Sequence, residues 1–409
     1  MSESPPRLSR DFWYLLGSDA ASQLGTVVST LAIQLLLIER LHASAAEVGA
    51  VRSAQWLPYL AFGLVAGVWA DRWRRRPVLI ASELAGAGIF GTIGALALAE
   101  RLTVPILGGL VFGAGALTCL SVAAHQSFVP RVVPAPQLPE AFSRMSQSGS
   151  AIVSVGPLVS GALVRFLGSP VAVLLDAVSY LVSAAWLSRI RVDEPVADRS
   201  ERRSIRHEVA EGARWVYGHP LLRPYALWLH AWFFFATLVS TVLVYFAIVD
   251  LGLGPLTVGA VVAAEGVSGL LFASVASRLG RRYGVGRVVT AIEWASPLWG
   301  MLVALTPRGT WAVPVLVLAQ VVTGVGTISA ALMMSYRTAI TPDHLRARMN
   351  ATIRTFNWGG LAIAAALSGW LAAQFGTRVS LWIGTAGLLG ATVYLCRSPY
   401  RRAVMPDPG

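Results

Sequence analysis

Five carboxylates interrupt apolar stretches of this 409-residue chain: Asp19, Glu83, Asp176, Glu265 and Glu293. An acid in such a stretch costs roughly 2.5–3.5 kcal/mol on insertion scales, so it calls for a function. A carboxyl group withdrawn from water holds its proton more tightly, and this suits it to carrying protons near neutral pH. Glu265 is the first candidate. It lies about ten residues into its apolar stretch, and its setting, AAEGVSG, leaves room for a facing helix or a cavity. Asp19 is the second, with Gln23 one helical turn on and Gln34 further along. Asp176 is the third, with a structural pairing to a neighbouring helix as its alternative. Glu83 and Glu293 follow two arginine-rich loops at similar spacing and are read as partners of those arginines. Arg52 and Arg354 are the cations within apolar stretches, and each could balance an acid or meet an anionic substrate.

Aromatic side chains are frequent, among them Trp56, Tyr59, Trp228, Trp232 and Trp358. A stripe of this kind lines a cavity for a large amphipathic compound or belongs to helix packing and interfacial belts. Gln34 and Tyr245, at matched places in two related segments, and Trp358 are the cavity candidates, together with Arg52. No enzyme constellation is present. The six histidines are dispersed, and there is no lysine, so no nucleotide-binding glycine loop with its lysine exists. Cys119 and Cys396 have neither metal-ligand spacing nor a shared loop. No cofactor or metal is expected.

The elements that hold these residues are set by composition. Only 13% of residues are charged and 55% are hydrophobic. A water-soluble domain carries about a quarter charged residues. Apolar segments of about 20 residues span a bilayer as helices. Twelve are expected, at 12–38, 47–70, 78–99, 103–125, 143–166, 170–190, 222–249, 255–277, 286–306, 310–336, 348–374 and 378–397. The first is too long for a signal-peptide core and reads as a span. The net charge of +12 is carried by arginine, and 26 of the 33 arginines fall on one side if both termini lie there. By the positive-inside rule that side is the cytoplasm. The chain is thus expected in the inner (plasma) membrane, multi-pass, with both termini cytoplasmic. The scatter of arginines over short loops speaks against nucleic acid and for contact with anionic lipid.

Two halves are expected: residues 1–190 and 222–409, joined by a polar segment at 191–221. VVSTLAIQLL resembles LVSTVLVYFA, and EVGAV resembles TVGAV. Two further pairs follow in the same order, all at an offset of about 207 to 212 residues. Within the joining segment Ile205, Val209, Ala213 and Val216 recur at helical spacing. They imply a short amphipathic helix on the inner membrane surface or an ordinary solvated linker helix.

GVWADRWRRRP, between the second and third spans, resembles the signature loop of the major facilitator superfamily: a glycine, three residues, Asp-Arg, then basic residues. Gly67, Asp71, Arg72 and Arg76 match it. A weaker copy, ASVASRLGRRYGVGR, has Ser277 where Asp71 would stand. LLDAVSYLVSAAWL and FVPRVVPAPQLPEAFSR place the resemblance in the drug-exporter branch of macrolide-efflux and enterobactin-export proteins. The resemblance covers the whole chain. It implies an all-α integral membrane protein with twelve transmembrane helices in two six-helix halves. It also implies that Asp71 caps the start of span eleven near Arg348–Asn350, latching the halves. Gly156, Pro157 and Gly161 match the exporters' antiporter motif, with Ser160 in place of a glycine. Two departures limit the transfer. Span four lacks the exporters' arginine, and Thr26 stands where relatives often carry an acid after the glycine matching Gly25.

These observations lead to a secondary active exporter of amphipathic organic compounds, exchanging a small-molecule substrate for protons by alternating access and working as a monomer. A siderophore or lipid mover, or a uniporter, is the alternative within transport. A transporter-like membrane receptor or scaffold is the alternative outside it.

Overall fold

A computed structural model describes residues 8–192 and 205–406. The side chains of 62–72, 205–209 and 347 lie outside the description. The described residues are helical throughout, without strands. The first half comprises α1 (Arg10–Leu35), α2 (Ala45–Arg72), α3 (Arg75–Leu98), α4 (Val104–Val132), α5 (Leu138–Leu167) and α6 (Ser169–Leu187). A joining helix, α7 (Ile205–Gly218), follows. The second half comprises α8 (Leu222–Tyr245), α9 (Pro255–Ala273), two short helices α10 (Ala276–Tyr283) and α11 (Val285–Ile292), α12 (Ala295–Leu305), α13 (Ala312–Ile340), α14 (Asp343–Phe375) and α15 (Thr377–Arg397). Eleven helical segments among the described residues are long and apolar enough to cross a membrane, α11 and α12 together forming one of them. With α2 they account for the twelve expected spans.

Local sequence explains where these helices begin and end. Ser44 and Glu47 close a capping box at the start of α2, the Ser44 amide donating to Glu47 Oε2 at 2.8 Å. This pairing satisfies amides that have no partner within the helix. Gly168 and Gly376, at φ +83° and +91°, end α5 and α14 in a conformation that other residues adopt only with strain. The two glycines sit at corresponding places in the two halves, and other details repeat as well. α1 and α8 both run into a five-residue π turn, Leu36–Arg40 and Phe246–Asp250. Ser160 Oγ donates to the Val28 carbonyl at 2.7 Å, and Ser368 Oγ to the Leu238 carbonyl at 2.6 Å. The duplication seen as loose sequence similarity is therefore kept in hydrogen bonding.

The halves meet along α2–α14 and α5–α9. Both contacts depend on paired glycines. A Cβ on Gly49 would lie 2.7 Å from Gly369 Cα, and one on Gly161 would lie 3.0 Å from Gly259 Cα. Such small-residue contacts let helix backbones approach inside a membrane. These pairs lie toward the face away from the termini, here called the distal face. There one buried apolar cluster draws on both halves, with Leu35, Leu36 and Ile93 from the first and Val239, Phe246 and Leu381 from the second. Toward the terminal face the described residues form two separate clusters. Phe12, Phe128 and Ile190 belong to the first half, and Leu222, Met349 and Tyr400 to the second.

The short helix expected in the joining segment is present at Ile205–Gly218. α7 docks on the bundle, with Val216 fully buried against the second half. Gly212 makes the approach possible, because a Cβ there would meet Thr352 Oγ1 at 2.7 Å and the Arg348 carbonyl at 2.8 Å. Glu211 pairs with Arg348, and Trp215 Nε1 donates to Thr341 Oγ1 at 3.3 Å. Burial of Val216 and these polar contacts hold α7 across the start of α14.

Candidate functional site

Adjoining cavities run through the molecule, the smallest reaching into the shared distal core at Leu37, Val48 and Val51. The largest, about 970 Å³, lies between the halves, with Gln126 and Phe142 from the first and the remaining wall from the second. A second, about 460 Å³, lies within the first half. A third, about 260 Å³, lies between α1, α2, α4 and α14. The second and third share Thr26, Thr118 and Tyr180, and Trp358 borders both the first and the third.

Glu265 is on the wall of the large cavity. Gln320 on α13 donates through Nε2 to Glu265 Oε2 at 3.3 Å, and Trp299 Nε1 donates to Gln320 Oε1 at 2.9 Å. The acid is thereby held in place by a hydrogen-bonded chain from α12 through α13. Asp19 is on the wall of the second cavity. Gln23 Nε2 donates to Asp19 Oδ2 at 2.6 Å, and His125 Nε2 lies 3.6 Å from Asp19 Oδ1. Asp176 is fully buried and borders none of the three cavities. Ser179 Oγ donates to its Oδ1 at 3.0 Å, and a Cβ on Gly25 of α1 would collide with both side chains. Asp176 therefore packs at the α1–α6 contact.

Glu83 and Glu293 differ from their sequence reading as arginine partners. Glu83 faces the second cavity near Asp19 and accepts from Ser22 Oγ at 3.3 Å. Glu293 faces the large cavity and accepts from Ser296 Oγ at 3.1 Å. Both helices turn these acids inward, away from the loops that precede them in sequence. Each half thus presents two acids to a cavity.

Arg52 and Gln34 line the third cavity with Trp56, Tyr59 and Trp358. The three aromatic rings cluster, with Tyr59 and Trp358 meeting edge to face at 4.6 Å between centroids. Arg354 lies over the Trp358 ring at 5.5 Å and donates to Gln126 Oε1 at 3.2 Å, joining α14 to α4 across the halves. Tyr245 packs with the shared distal core and borders none of the three cavities.

The motif residues separate into three groups. Gly67, Asp71 and Arg72 belong to α2, but their side chains lie outside the described residues, as does the expected Asp71 cap. Arg76 donates to the last carbonyls of α6, through Nε to Leu187 at 3.0 Å and through Nη2 to Ser188 at 2.5 Å. Helix C-termini leave such carbonyls without internal partners. In α5, Gly156 packs on Val27, Pro157 is buried and its carbonyl faces Gly259, and Gly161 meets Gly259. Ser160, the departure from the exporters' glycine, supplies the hydroxyl that bonds Val28.

Some polar partners escaped sequence reading altogether. His125 and Gln320 carry no local signal, since each acts through a helix distant in sequence. Tyr217 of α7 reaches His230 at 2.9 Å, and His230 reaches Asn357 on the cavity wall at 2.6 Å. The signal for Glu83 and Glu293 was available, because they stand at the repeat offset.

Comparison with known proteins gives the family and the fold. The family model described as a transmembrane secretion effector matches residues 4–405. Over 184 residues the chain is 24% identical to the uncharacterized MFS-type transporter YkuC of Bacillus subtilis, covering 45% of this chain and 42% of that protein. It is 26% identical over 209 residues to the multidrug efflux pump Tap of Mycobacterium tuberculosis, covering 49% of each. The chain thus spans about half or less of the curated relatives it matches. A crystal structure of a mutant nucleoside transporter NupG superposes with a TM-score of 0.79 at 13% identity, covering 95% of this chain and 99% of that one.

Proposed function

Because the chain belongs to the transmembrane secretion effector family of the major facilitator superfamily, we propose that it is a secondary active exporter of amphipathic organic compounds driven by proton antiport. The observation that carries this reading is Glu265, an acid on the wall of a large cavity between duplicated halves, fixed by Gln320. Protonation of a cavity acid changes its charge and hence the relative stability of states that hydrate it differently. The halves at 1–190 and 222–409, joined by 191–221, rock about the cavity. The glycine pairs on the distal side close one route while cargo enters from the other. The arginine bias sets the terminal face in the cytoplasm of a cell whose inner membrane holds the chain as a monomer. Glu265 is the first proton carrier in this scheme and Asp19 the second, with Asp176 supporting the packing behind Asp19.

The similarity to the Tap efflux pump supports outward movement of cargo. The test is transport in everted vesicles with an imposed pH gradient. An acid vesicle lumen is expected to drive uptake of an amphipathic dye, and collapse of the gradient to stop it. Uptake that ignores the gradient in both directions would overturn antiport and leave a uniporter.

A further inference from the structure

The 260 Å³ cavity differs from its neighbours in charge. Arg52 is the only charged side chain on its wall among the described residues, and no Asp, Glu or His lines it. Arg52 Nε is buried without a hydrogen-bond partner, and Gln34 Oε1 on the same cavity wall is likewise buried and unpartnered. A guanidinium stays charged at any physiological pH. A buried guanidinium nitrogen with neither partner nor counter-charge is costly, so such residues mark places where a charge is supplied during function. Trp56, Tyr59 and Trp358 gather against the same cavity and offer flat apolar surface. Asp19, Glu83, Glu265 and Glu293 border the other two cavities.

We propose that this cavity is an anion subsite for cargo, taking the carboxylate of an aromatic acid. Arg52 receives the carboxylate in a two-pronged hydrogen bond. Gln34 Oε1 accepts from a hydroxyl or amide of the same molecule. The aromatic body rests on Trp56, Tyr59 and Trp358. This deepens the exporter reading, on which it rests, by giving the cargo an anionic end. Any cationic end faces the acids of the adjoining cavities.

The experiment is equilibrium dialysis of naphthylacetate and of its neutral amide against the full chain in phosphatidylcholine nanodiscs. The acid is expected to bind at least tenfold tighter than the amide. Arg52→Gln should remove that preference by weakening binding of the acid at least tenfold. Arg52→Lys, which keeps charge but loses the fork, should fall between. Adding phosphatidylglycerol separates a second source of the same oxyanion chemistry. Competition in the wild type but not in Arg52→Gln assigns the subsite to a lipid headgroup and overturns the aromatic acid as its ligand. Equal binding of acid and amide, persistence of the preference in Arg52→Gln, or no saturable binding of the acid overturns the proposal. Thermal unfolding reports whether Arg52→Gln folds. If it does not, Gln55→Glu, one turn along on the same wall, should abolish the preference by supplying a fixed counter-charge. Vesicle transport is read separately. In the wild type, equal binding of acid and amide with pH-driven transport intact rejects the subsite alone, whereas an acid preference without transport rejects the exporter reading alone.

Discussion

Gly161 and Gly259 meet backbone to backbone across the two halves: a Cβ on either would stand within 3.0 Å of the other's Cα. No side chain larger than hydrogen fits at that crossing without moving a helix. The same construction recurs where Gly49 meets Gly369. Forcing atoms into such a contact costs about 1–3 kcal/mol. Gly161→Leu is therefore expected to weaken the distal closure. In a chain carrying Cys119→Ser and Cys396→Ser, labelling of Thr30→Cys by an impermeant maleimide from the distal face should rise severalfold. Unchanged labelling would show that the crossing does not seal the cavity.

Ser160 and Ser368 perform the same task in different halves, each binding a carbonyl of the neighbouring helix. Replacing Ser160 by alanine removes one buried hydrogen bond and costs about 1 kcal/mol, and replacing Ser368 removes its contact with Ser380 Oγ at 3.1 Å as well. The two sites share no partner, so the double variant should lose the sum. Thermal unfolding of purified protein measures all three. A double variant no worse than one single variant would deny the equivalence.

Glu265→Gln keeps the shape of the side chain and removes its charge. Exchange of labelled for unlabelled cargo should persist, while uptake driven by a pH gradient should drop at least tenfold. Asp19→Asn should reduce it less. Gln320→Leu leaves Glu265 without its donor and Trp299 without its acceptor, and should slow transport without removing the response to pH. If Glu265→Gln and Asp19→Asn both transport with wild-type pH dependence, neither acid carries the proton.

The Glu211–Arg348 pair ties α7 to the start of α14, with Arg348 largely buried and Glu211 at 30% exposure. A partly exposed pair of this kind contributes on the order of 1 kcal/mol. Glu211→Arg alone should lower the melting temperature by a few degrees, and combining it with Arg348→Glu should restore part of the loss. A swap as damaged as the single variant would mean that the geometry at Gly212, not the charge pairing, holds the helix.

Hydropathy located the spans because lipid imposes a minimum apolar length. It misplaced their terminal ends because helix propagation does not stop at the lipid boundary. α4 continues to Val132, α5 starts at Leu138, α13 runs to Ile340 and α14 starts at Asp343, in stretches too polar to register as membrane. Among the site residues, Glu265 was legible from its depth within an apolar run flanked by small residues. Glu83 and Glu293 were misassigned because closeness along the chain was taken for closeness in space. A helix places residues a turn apart on one face, and that face points to a cavity. His125 was invisible, since its nearness to Asp19 exists only once α4 and α1 are packed.

A π turn holds one residue more than the α turn it replaces. It occurs once at the end of α1 and again, at the corresponding register, at the end of α8. The extra residue turns the exit of the first helix of each half by the same step, so both segments leave the distal core in matched directions.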